Sequence, residues 1–96
     1  MSDPTLAEAR LRQEMQDAMK SRAMPTVYVL RGLLAAVANR RIETGAAELS
    51  ASEILRLVQS EAKKREEAEG FALLAGRADL VAQNASERAI LRGAGW

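Results

Sequence analysis

Two of the side chains that carry much of protein chemistry are missing, because the 96-residue chain holds no Cys and no His. That removes thiol nucleophiles, disulfides, the usual zinc sites and imidazole acid–base catalysis. What remains is charge, with 14 Lys and Arg against 13 Asp and Glu and a net of +1. So even a balance excludes a strongly basic nucleic-acid coat and a polybasic membrane anchor, but it leaves room for a basic patch on one face. The carboxylates form no Asp-rich loop, so no metal is expected. No Ser-x-x-Lys nucleophile, nucleophile elbow or Gly-rich phosphate loop is expected. Glu66 and Glu67 are adjacent on a helical segment, so they diverge rather than converge on one atom. The residues describe a module that holds something, not an enzyme, and no cofactor is expected.

The densest charge cluster is Glu61-Ala62-Lys63-Lys64-Arg65-Glu66-Glu67. At about 100° per residue, Lys63 falls nearly opposite the Ile54/Leu55/Val58 stripe, on the side of Arg56, and Lys64 lies on the flank. Arg65 continues the apolar stripe, as does Glu61 one turn earlier. A Glu–Arg pair four residues apart on a core-facing stripe reads first as a structural ion pair and second as a reach toward a ligand. Arg40 and Arg41 occupy the last turn of another helical segment, where the helix dipole favours cations, and Arg31 lies higher up the same segment. The functional reading of these side chains is phosphate contact. Lys63, Lys64, Arg56 and Arg77 are the first candidates, and Arg31, Arg40 and Arg41 come next.

Four helices must position these groups. Ala, Leu, Glu, Arg and Gln dominate, β-branched runs are absent, and the only two prolines, Pro4 and Pro25, stand where a first turn tolerates them. The first segment runs from about Pro4 to Arg22, capped by Ser2 or Asp3, with Leu6 near its start and a stripe of Leu11, Met15, Ala18, Met19 and Arg22. The second runs from Pro25 or Thr26 to Thr44, stopped by Gly45. Its apolar face of Val27, Leu30, Leu33, Leu34 and Val37 marks it as the central helix. The third starts after Ser50, where Ser50 and Glu53 fit a capping box, and continues to about Ala75 on a stripe of Ile54, Leu55, Val58 and Ala62. The fourth runs from about Ala78 to Arg92, carrying Leu80, Val81, Ile90 and Leu91, and Gly93 ends it. A kink or bulge near Gly70 is expected to turn Phe71 inward, since on an unbroken helix Phe71 points off the buried stripe. Tyr28 reads as a boundary residue, and Trp96 as part of a frayed end. The fold expected is all-α, a single small bundle of about four antiparallel helices, one domain over residues 1–96 with 1–3 and 93–96 frayed. Apolar residues make up 48% of the chain, but 19 of them are Ala, so the core must be small and built mostly of Leu.

Three stretches in register carry a resemblance. They are Val29-Leu30-Arg31-Gly32-Leu33-Leu34-Ala35-Ala36-Val37-Ala38-Asn39 with Ile42-Glu43; Leu49-Ser50 with Glu53, Leu55, Gln59, Glu61 and Lys63-Lys64-Arg65; and Ala75-Gly76-Arg77-Ala78-Asp79-Leu80 with Glu87 and Ile90-Leu91. Together they resemble the YqeY-like proteins, whose helical domain is similar to the tail of the B subunit of aspartyl/glutamyl-tRNA amidotransferase (GatB). The resemblance spans about Leu6 to Leu91. Family members usually continue through a Leu-Pro junction into a second, smaller helical subdomain, and that subdomain is expected to be absent here. The family's aromatic residue also falls one position later than Phe71.

The resemblance implies a non-catalytic module of the translation machinery that contacts tRNA or other RNA. The family label of carbon–nitrogen ligase with glutamine as amide donor reads as inherited from the larger enzyme. The alternative is a protein–protein adaptor for amidotransferase subunits, or a homodimer formed through the surface that the missing subdomain would cover. No run approaches the ~20 apolar residues of a membrane span, and Asp3, Glu8 and Arg10 interrupt any signal peptide, so a cytoplasmic protein without a membrane partner is expected.

Overall fold

The computed structural model describes residues 4–94 and contains four helices. They are α1 (Pro4–Lys20), α2 (Met24–Thr44), α3 (Ala51–Leu74) and α4 (Ala78–Ala94), with no strand among the described residues. The expected caps Ser2 and Asp3, the Leu6 side chain and Trp96 lie outside the described residues. Short turns make α1 and α2 one hairpin and α3 and α4 the other. The order of the α3–α4 ion pairs, Glu69–Arg88 followed by Glu66–Arg92, runs in opposite directions along the two helices and shows them antiparallel. The α3–α4 contact is the most extensive, and α2 and α3 each touch all three of the other helices, so the central place expected for α2 is shared with α3.

Three turns end in the same way. After α2, Gly45 takes φ 69° while its N–H bonds Ile42 O and the Ala46 N–H bonds Arg41 O. Gly76 does the same after α3 at φ 68°, with the Arg77 N–H on Ala72 O. Glycine meets no Cβ penalty in this left-handed conformation. The first turn uses a residue that does: Arg22 stands at φ 58°, with the Ala23 N–H on Ala18 O. The α1 stripe therefore stops short of Arg22, which closes the turn instead of facing the core. At the start of α3, Ser50 Oγ accepts from the Glu53 N–H at 3.2 Å. The other half of the expected box differs, since Glu53 Oε1 receives the Ser50 hydroxyl at 3.4 Å.

The core gathers Leu11 from α1, Leu30, Leu33 and Val37 from α2, Leu49 from the connection, Ile54 from α3 and Leu91 from α4, each at most 1% exposed. Several details depart from the periodic reading. Met19 is half exposed, while Ala7 and Val29 are buried. Gly93 does not stop α4, which continues to Ala94. Most tellingly, α3 passes Gly70 unbroken, and Phe71 stays outside at 72% exposure. One glycine lowers helix propensity by about 1 kcal/mol, which tertiary packing on both sides outweighs. Ala72, the next residue, takes the inward position and is buried.

Candidate binding surface

The seven basic candidates do not form one patch. Arg40, Arg56 and Lys64 line a groove of about 620 Å³ between α2 and α3. Lys63, next to Lys64 in the chain, lines a different groove on the far side of α3, beside Leu55, Ala62 and Arg92. Consecutive helical residues point about 100° apart, so α3 itself divides the lysines. Arg31 is exposed on α2, one turn before the groove residue Ala35. Arg41 is withdrawn. Its Nη1 donates to Ala47 O at 3.3 Å and lies 3.8 Å from Glu8 Oε2, tying α2 to α1. Arg77 sits at the α3–α4 turn and chelates Asp79, with Nε on Oδ1 at 3.2 Å and Nη2 on Oδ2 at 3.0 Å. That guanidinium, helped by the Leu80 N–H, holds the Asp79 carboxyl below the usual aspartate range.

The α2–α3 groove is mixed in sign, since Glu43, Glu53 and Glu61 share its walls. Arg40 pairs with Glu43 at 3.2 Å at the surface, and the exposed Lys64 reaches the half-buried Glu61 at 3.5 Å. An exposed pair such as Arg40–Glu43 is worth about 0–1 kcal/mol and breaks readily. Among the described residues, Arg31 and Arg56 have no carboxylate partner.

Glu61 and Arg65 meet as a half-buried pair at 3.4 Å. The periodicity does not reveal the third member: Arg65 Nε donates to Glu87 Oε1 at 3.1 Å across the hairpin, and Gln83 holds the other Glu87 oxygen at 3.0 Å. Glu8 is also missed by pattern reading. It is 7% exposed, and its Oε1 has no hydrogen-bond partner among the described residues, although Arg12 and Arg41 flank the carboxylate. Pattern alone could not have found either group, because each depends on a partner from another helix. Tyr28 is 61% exposed at the rim of a shallow cleft beside Arg65 and Glu87.

The expectation that no Ser-x-x-Lys pair occurs is corrected by Ser60 and Lys63, which stand at the spacing used by serine nucleophiles with a lysine base. Here both are exposed mid-helix, they line different grooves, and no hydrogen bond joins them. Among the described residues no three acidic side chains gather as a metal site, and no helix is long and apolar enough to cross a membrane.

A family model described as Yqey-like protein matches residues 8–93, a span that runs from α1 into the last turn of α4. The chain belongs to the YqeY-like family. No curated protein matches it. For this YqeY-like protein the family and the fold together establish a small helical module.

Proposed function

We propose that this YqeY-like chain is a non-catalytic RNA-contacting module, with tRNA as the first candidate partner. The observation that carries this reading is the α2–α3 face. Among the described residues, Arg31 and Arg56 stand exposed without acidic partners on the two helices that form one groove, and the exposed cations Arg40 and Lys64 lie alongside, paired with Glu43 and Glu61. Such side chains can lie along a phosphate backbone and fix position without reading sequence. The local charge is mixed, so affinity is modest and depends on salt. About three phosphate contacts give a log–log salt slope of about −2 to −3.

The test is a salt-titrated binding assay with bulk tRNA. The variant Arg31→Glu/Arg56→Glu should weaken binding and flatten the slope by about 2. Unchanged affinity in this variant would overturn the reading. A second reading, docking to a protein such as an amidotransferase subunit, is favoured by Phe71, Leu73 and Leu74, all more than 70% exposed around the α3–α4 turn. Competition between tRNA and tRNA-free amidotransferase for the chain separates the two.

A further inference from the structure

We propose that the cleft between the start of α2 and the α3–α4 hairpin seats one unpaired nucleobase of an RNA strand whose phosphates lie in the α2–α3 groove. The partner rests on the RNA reading above, to which the cleft adds a separate contact. Tyr28 stands 61% exposed at the rim of this cleft, although its neighbours Val27 and Val29 are buried. Pro25 and Val29, one turn apart, add apolar surface, and polar groups come from Arg65 on α3 and from Gln83, Ser86 and Glu87 on α4. The volume is about 510 Å³, a size usual for small-molecule sites and ample for one base.

The chemistry of the lining selects the occupant. Arg65 is held by two carboxylates, with Nε on Glu87 Oε1 at 3.1 Å and Nη1 on Glu61 Oε2 at 3.4 Å. Its charge is offset, so the cleft favours a neutral group over a phosphate. The same two bonds fix the guanidinium, and a planar cation and an aromatic ring then share one cleft. Aromatic rings and arginine planes are the side-chain surfaces on which unstacked RNA bases rest. Polar atoms are available for the edge of the base. Gln83 spends its Nε2 on Glu87 Oε2 at 3.0 Å, while its Oε1, the Ser86 hydroxyl and the Tyr28 hydroxyl have no hydrogen-bond partner among the described residues. An aliphatic side chain would cover these atoms and leave them unpaired, whereas a base edge offers donors and acceptors.

Position joins the cleft to the groove. Tyr28 lies one turn before Gly32, which lines the α2–α3 groove, and Arg65 follows Lys64, which lines its other wall. The loop after α2 joins Thr44 to Ala51, yet Pro25 and Tyr28 at the start of α2 meet Arg65 well along α3. The two helices therefore run in opposite directions, and the groove end marked by Gly32 and Lys64 is the one next to the cleft. A strand laid past Arg56 and Lys64 can turn its next unpaired base onto Tyr28.

Nuclear magnetic resonance with adenosine tests the site apart from the RNA reading, because adenosine carries a base and no phosphate, so the groove cations do not enter. Titration into the millimolar range should shift the Tyr28 ring signals and the Gln83 side-chain amide together and saturably. Tyr28→Phe should keep the Gln83 response and Tyr28→Ala should lose it, both with unchanged helical circular dichroism, since Tyr28 is exposed. Against tRNA, Tyr28→Ala should weaken binding about 5- to 150-fold, the range that stacking on one aromatic ring gives, with the salt slope kept. Signals unmoved by adenosine, a Gln83 response that survives Tyr28→Ala, or tRNA affinity unchanged by Tyr28→Ala would overturn the proposal. So would N-acetyltryptophanamide binding the cleft more tightly than adenosine, which would assign it to a protein side chain. Adenosine bound at Tyr28 by a chain that binds no tRNA would support the base site and refute the RNA reading instead.

Discussion

Gly70 and Gly76 lie six residues apart and answer opposite demands, so the same substitution should move stability in opposite directions. At Gly70, α3 is continuous, and a Cβ placed there meets nothing within 4 Å. Gly70→Ala should stabilise by about 0.8–1 kcal/mol, the helix-interior difference between the two residues. Gly76 is equally open but sits at φ 68°, where an L side chain is strained. There a Cβ costs about 1–2 kcal/mol, which exceeds the entropy gained in the unfolded chain. Gly76→Ala should therefore destabilise by about 1 kcal/mol. Arg22 is the converse case. It already bears that strain at φ 58°, so Arg22→Gly should gain about 0.5 kcal/mol after the glycine entropy cost. For a chain of this size each kcal/mol shifts Tm by about 4–8 °C. Thermal unfolding followed by circular dichroism at low concentration should then place Gly70→Ala above and Gly76→Ala below the wild type, roughly 10 °C apart. A lower Tm for Gly70→Ala would refute the reasoning, because it would mean the backbone there needs a conformation that alanine resists.

Two further outcomes follow from the ion pairs. Arg65→Met should cost about 1–2 kcal/mol, between the values for exposed and buried pairs, since Glu61 and Glu87 are only half-buried. Adding Glu87→Gln should recover part of that loss in urea denaturation, whereas full additivity would show that the two groups are not coupled. Asp79, held low by Arg77, supplies stability that is present above the unfolded aspartate value and lost as pH falls through the lower folded value. In an NMR titration Arg77→Gln should raise the Asp79 midpoint, and an unmoved midpoint would refute the assignment.

The helices were legible because their signals are local. Ser50, Gly45, Gly76 and Pro25 mark ends through the backbone groups they satisfy or the φ they permit, and the α2 and α3 stripes follow from a 3.6-residue period. The Gly70 region was misread for the same reason. Local propensity carries no account of the packing of Ala72 and α4, so it turns Phe71 inward, whereas Phe71 stands outside. The basic residues were found one by one, but their grouping was not. Period alone put Lys63 and Arg56 on one side of α3, whereas the neighbouring helices set Arg56 with Lys64 and Arg40, and Lys63 with Arg92.

Composition and spacing by themselves determined that this is an all-helical chain without thiol or imidazole chemistry, because those properties depend only on which residues occur and how they repeat. Which charges are paired and which stand open follows from the packing of the helices. Arg41, Arg65 and Arg77 are held by Glu8, by Glu61 and Glu87, and by Asp79, while Arg31, Arg56 and Lys63 are left without carboxylate partners among the described residues. An ion pair between helices forms at a few ångströms in space between residues tens of positions apart in the chain, and no local period encodes that distance.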